Sequence, residues 1–163
     1  MINHIIMEKI IPTLYQWAGG EEALQQLFKV FYDKVLQDDL LGPVFRTMSA
    51  DHPRHVAHFV AEVFGGPPKY TDEDKGSHAT MIAHHIGKML DEPRRQRWIQ
   101  LLLTTADEIG IPDDPEFRSS LVAYLEWGSR IAVINSKQTE NPIADNAPMP
   151  HWGWGETKGP YVP

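Results

Sequence analysis

Eight histidines occur in 163 residues, and six of them lie between positions 52 and 85. Histidine changes charge near neutral pH and is the commonest metal ligand, so chemistry is sought there first. His52, His55 and His58 recur every third residue, which fans them round a helix instead of stacking them. They read either as a solvated helix edge or as the polar rim of a site. No His-Glu-x-x-His pattern occurs, which argues against a zinc hydrolase. His85 is different. It stands in an apolar stripe, with Met81 four residues before it, Met89 four after, and Ile82 and Ile86 beside it. A neutral imidazole in such a setting needs a partner for its ring nitrogens. Two readings are open: a core histidine bonded to a backbone carbonyl, or one axial metal ligand facing a flat apolar cofactor. Methionine and isoleucine suit the face of a porphyrin, and single-histidine ligation is a common haem arrangement. A histidine-bound non-haem metal is a further alternative. Tyr32 and Trp98 each combine an apolar body with one donor that wants a partner when buried. Separately each reads as core. Beside a buried histidine they form a donor set for a small polar ligand on a metal.

The elements that must position these residues are helical. Leu24, Leu27, Phe28, Phe31, Tyr32 and Val35 repeat at helical spacing over residues 21–37. Val56, Phe59, Val60, Val63 and Phe64 do the same after Asp51, which reads as a helix cap ahead of Pro53. Gly65-Gly66-Pro67-Pro68 stops that helix. Ser77 caps a segment whose stripe runs from His78 through His85 to Met89. Pro93 starts a helix carrying Trp98, and Asp114-Pro115 starts the last, which carries Tyr124, Leu125, Gly128 and Ile131. No segment alternates apolar and polar residues, so the expectation is an all-α domain over residues 12–135. Residues 1–11 are expected as an N-terminal extension. Residues 136–163 hold five of the thirteen prolines and are expected as a C-terminal tail, extended or partly disordered, with Trp152 and Trp154 able to lie back on the surface.

Composition narrows the chemistry. Cysteine is absent, which removes disulfides, thiolate metal sites, cysteine nucleophiles and covalent haem attachment through Cys-x-x-Cys-His. Fifteen basic against twenty-two acidic residues give a net charge of −7, which disfavours nucleic acid and anionic membranes as partners. No apolar run approaches the roughly 20 residues of a membrane span. No secretory signal is recognisable either, so a cytoplasmic protein is expected.

Several of these residues occur in a pattern that resembles a truncated haemoglobin of the second group. The elements are Leu14-Tyr15-x-Trp17-Ala18-Gly19-Gly20, Phe31-Tyr32, Phe45 thirteen residues on, and Phe64-Gly65-Gly66-Pro67 followed by Tyr70. His78 then stands seven residues before His85, Trp98 thirteen after it, and Tyr124 to Arg130 closes the pattern. The resemblance implies a shortened globin fold, two helices packed over two, around a non-covalent haem b. It implies His85 as the proximal iron ligand, Phe45 on the haem face, and Tyr32 and Trp98 as distal donors. His52 falls at a distal gate position, His55 at a propionate contact, and Val56 faces the haem. Tyr70 reaches a propionate, and Met81, His84 and Met89 join the cofactor-binding set.

The function implied is reversible binding of dioxygen and other diatomic ligands such as CO and NO, by a monomer or weak homodimer. Two alternatives stand beside it. One is an enzyme on the same haem, a peroxidase or a nitric-oxide-detoxifying activity, drawing electrons from an external reductase. The other is a helical interaction module with no cofactor.

Overall fold

In the computed structural model the described residues are 10–163; the first nine residues of the expected N-terminal extension lie outside them. Eight α-helices follow, and the described residues contain no strand. Helix α1 (Leu14–Ala18) starts at a capping box in which Thr13 Oγ1 accepts from the Gln16 amide and the Gln16 side chain accepts in return from Thr13 N–H. Gly19, at φ +108°, turns the chain into α2 (Gly20–Gln37). That helix buries the stripe read from the sequence, with Phe31 and Val35 fully enclosed. The short α3 (Gly42–Phe45) follows a turn in which Asp38 Oδ1 accepts from the amides of Leu40 and Leu41.

Helix α4 (His52–Val63) begins differently from the expectation. Asp51 precedes it, but the Asp51 backbone is itself helical and its side chain caps nothing. Ser49 Oγ accepts the Asp51 amide, a bond within the turn that precedes the helix. Gly65 and Gly66 end α4 as expected, and for a visible reason. Gly65 sits at φ +88°, and a Cβ on Gly66 would lie 2.6 Å from the Tyr15 ring.

Helix α5 is Lys69–Asp72, α6 His78–Ala83, α7 Glu92–Glu108 and α8 Pro115–Ser136. The first of these longer helices, α7, is capped by Asp91, and α8 by Asp114, whose Oδ1 also accepts from Trp17 Nε1 at 2.8 Å. Helix α2 packs on α4 and on α7, and α7 packs on α8, the two-over-two helical arrangement that the resemblance leads one to expect. The core between them is aromatic: Phe28, Phe31, Phe64 and Phe117 are each at most 2% exposed. Burying such a side chain stabilises the fold by about 1.5–3 kcal/mol.

The segment carrying His85 departs from its sequence reading. The apolar register runs on to Met89, but α6 stops at Ala83. Beyond it the amides of His85 and Ile86 bond three residues back, and Gly87 and Met89 take positive φ values of 76° and 50°. The stretch after Ser136 is extended, with one 3-10 turn at Gly155–Thr157. It lies against the domain. Trp152 N–H donates to the Val63 carbonyl, Trp152 Nε1 to the Ser120 carbonyl and Trp154 Nε1 to the Pro12 carbonyl, while the Trp154 ring meets Trp17 edge-on at 5.9 Å.

Candidate functional site

A cavity of about 920 Å³ opens between these helices, within the range of about 300–1,000 Å³ usual for small-molecule and cofactor sites. Helix α2 contributes Tyr32, which is 3% exposed. Its ring meets the His52 ring edge-on at 4.7 Å and lies 5.6 Å from Phe45. Burial pushes the Tyr32 hydroxyl far above its ordinary range, and the neighbouring Trp98 indole offsets part of that rise. Tyr32 is therefore a neutral donor at any working pH. Trp98 reaches the cavity from α7, its ring held edge-on by Phe31 at 5.3 Å.

Helix α4 supplies His52, His55 and Val56 to the wall. His58, third in that run, leaves the cavity. It is buried, with Nδ1 at 2.7 Å from Asp74 Oδ2, and it ties α4 to the α5–α6 loop. The run thus divides as helical geometry requires, two histidines on the wall and one on a structural contact. His52 Nε2 is buried with no hydrogen-bond partner. Burial, followed by the charges of His84, His85 and His55, holds the His52 imidazole down to about 4. Tyr70 lies in the wall with its hydroxyl 3.2 Å from Thr80 Oγ1.

Met81, His84 and His85 line the cavity from α6 and the turn after it. Burial pushes His85 down to about 4, helped by the neighbouring His84, while the Met81 carbonyl one turn back favours a proton on the ring. Its Nδ1 is buried and lacks a hydrogen-bond partner. An orphaned buried nitrogen is rare in a finished core. Here two of them, on His52 and His85, belong to residues that line one cavity. A neutral imidazole with its proton on the Met81 side leaves the other nitrogen's lone pair free for a metal. The donor set therefore fits a flat metal-bearing cofactor. Met89 does not belong to this wall. Its backbone has left the helix, the side chain is 67% exposed, and its place in the expected cofactor set is corrected accordingly.

The sequence reading missed cationic lining residues. Lys75, Lys88, Arg94 and Arg95 all border the cavity, and Asp74, engaged with His58, is the one acidic residue among the described lining. Arg95 is buried, its Nε 2.8 Å from Glu92 Oε2 and its Nη1 3.0 Å from Glu126 Oε1. Its signal lay in the helix register: Arg95 stands one turn before Trp98, on the same inward face, with Glu92 three residues back. Lys75 and Lys88 flank an irregular segment and carry no such signal. Among the described residues no three His, Asp or Glu side chains converge as a metal-ion set, so the histidines offer single ligands. Nor is any described helix long and apolar enough to cross a membrane.

The comparison with known proteins agrees with this arrangement. The sequence model of the bacterial-like globin family matches residues 13–127. The chain belongs to that family. It is 31% identical over 124 residues to the group 2 truncated hemoglobin YjbI of Bacillus subtilis, covering 76% of this chain and 90% of that protein. The crystal structure of a truncated oxygen-avid haemoglobin from Bacillus subtilis superposes with a TM-score of 0.65 at 30% identity, over 75% of this chain and 99% of that one. The group II truncated hemoglobin of Bacillus anthracis shares the fold, with a TM-score of 0.69 at 24% identity over 80% of this chain and 98% of that one. The resemblance to the second group, carried by elements from Leu14-Tyr15 to Tyr124–Arg130, is thus upheld at the level of the whole domain. Membership implies a haem cofactor and the binding of diatomic gases such as dioxygen.

Proposed function

We propose that the cavity holds haem b non-covalently with His85 as its protein ligand, and that the protein binds dioxygen and other diatomic ligands reversibly. The bound cofactor would supply a ferrous iron with one coordination position free for such a ligand. The observation that carries this reading is His85 itself: a buried, neutral imidazole with an orphaned Nδ1, in the wall of a cofactor-sized cavity shared with Tyr32 and Trp98.

Each residue has a part that follows from its chemistry. The Met81 carbonyl orients the His85 ring by favouring the proton on one side. Tyr32 and Trp98 donate hydrogen bonds into the ligand space, each worth about 1.5–3 kcal/mol toward a group carrying negative charge. Phe45 and Val56 supply apolar contact to the ring faces. His55, Tyr70, Lys75 and Lys88 offer donors to carboxylates at the cavity edge. His52, uncharged and beside Tyr32, can donate or accept toward the same ligand.

Absorption spectra of the purified protein, oxidised, reduced, and reduced under carbon monoxide, test the proposal. A haem b spectrum is expected that collapses in His85→Ala and survives in His84→Ala. A colourless protein that takes up no added haem would sink it, and loss in His84→Ala alone would move the ligand by one residue.

A further inference from the structure

His85 Nδ1 has no hydrogen-bond partner, and its helix has ended two residues earlier. What fixes this segment comes from outside it. At its start, Asn141 Nδ2 donates to the Ala79 carbonyl at 2.8 Å, and Asn141 Oδ1 accepts from the Ile143 amide at 3.0 Å, which fixes which end of the amide faces α6. At its end, the Met89 amide donates to the Ser136 carbonyl at 3.1 Å and the Leu90 amide to Ser136 Oγ at 2.9 Å. Ser136 is fully buried, and its hydroxyl in turn donates to the Val133 carbonyl at 2.7 Å. Both residues lie beyond position 127, where the match to the family model ends.

We infer that Ser136 and Asn141 are positioning residues for the proximal segment, holding residues 79–90 from both ends so that the His85 imidazole is presented to the cavity at one height and angle. Where His85 would bind iron, this inference rests on the reading given under Proposed function; the restraint on the backbone does not. The physical reason is local. A six-residue helix has too few internal hydrogen bonds to be rigid alone, and Gly87, with no Cβ, leaves the chain after His85 free to pivot unless it is tied. Ser136 provides that tie twice over, through one backbone oxygen and one hydroxyl.

The test compares Asn141→Leu and Ser136→Ala with Trp154→Phe, which loosens the same C-terminal stretch far from α6. Amide hydrogen exchange of the protein as purified should quicken about tenfold across residues 79–90 in the first two variants, as expected for one lost hydrogen bond, and stay unchanged there in the third. In the haem-loaded ferrous protein the iron–histidine stretching band should shift or broaden in the first two variants alone. Unchanged exchange in both Asn141→Leu and Ser136→Ala overturns the inference, as does equal quickening in Trp154→Phe. If the exchange responds as expected but wild-type haem is not lost in His85→Ala, the restraint stands and the ligand assignment fails.

Discussion

The two walls of the cavity are made by different means. The distal wall, with Tyr32 and Trp98, stands on α2 and α7, eighteen and seventeen residues long, which meet where the Phe31 ring packs edge-on against Trp98. The proximal wall, with His85, stands on a six-residue helix and a turn. Tyr32 and Trp98 are held by close-packed rings, which allow few positions. The segment that carries His85 is held by hydrogen bonds from a stretch far along the chain. A globin cavity can thus be rigid on one side through packing and on the other through tethering, and each side should fail in its own way.

Removing a ring from the distal wall should have the largest effect. Phe31→Ala leaves a cavity at a fully buried site beneath Trp98 and is expected to cost about 3–5 kcal/mol in chemical denaturation. A cost below about 1 kcal/mol would mean that the distal wall is not packed as described. Tyr32→Phe keeps the ring and removes the donor. The haem-loaded protein should fold normally while dioxygen dissociates about 10- to 100-fold faster, the kinetic equivalent of a hydrogen bond worth about 1.5–3 kcal/mol. A smaller loss, about 1–2 kcal/mol, is expected from Trp154→Phe, which keeps most ring contact with Trp17 and Phe117 but loses the 2.7 Å bond to the Pro12 carbonyl. Denaturation should record it with the haem spectrum unaltered. The smallest effect has the opposite sign. Met89→Gly keeps the amide that meets Ser136, removes an exposed side chain from a left-handed backbone position, and should stabilise the protein by about 0.5–1 kcal/mol in thermal unfolding.

The same division decides what could be read in advance. The stripes of α2, α4, α7 and α8 are long and periodic, so the inward place of Tyr32 and Trp98 is legible as spacing, while the wall positions of α4 come only from the family resemblance. His85 was visible as a polar residue in an apolar register. Met89 was misjudged because that register continues after the hydrogen bonding has changed: the chain turns at Gly87 although Met81, Ile82, Ile86 and Met89 still count as a helix. Asp51 stands at the N-cap position that its type indicates, but its carboxylate makes no capping bond and lies 3.4 Å from the Arg54 guanidinium instead. Asn141 and Ser136 were invisible in their role, because a side chain that bonds a distant carbonyl leaves no period in the sequence. The stretch carrying Trp152 and Trp154 reads as polar and proline-rich, and its seat on Val63, Ser120 and Pro12 depends on carbonyl groups that any residue could have offered.

The bond from Trp154 to Pro12 joins positions 142 residues apart. During synthesis the helices of the distal wall, which end at Glu108, are complete in sequence before Asn141 or Trp154 is added. A nascent chain can therefore bury its aromatic rings while the loop bearing His85 still lacks its fastenings. Closing so long a loop costs little more entropy than closing a shorter one, since the penalty grows only with the logarithm of length, so the delay is one of timing and not of stability. The order of translation thus supplies the fastenings of the wall that carries His85 after the residues of the opposite wall.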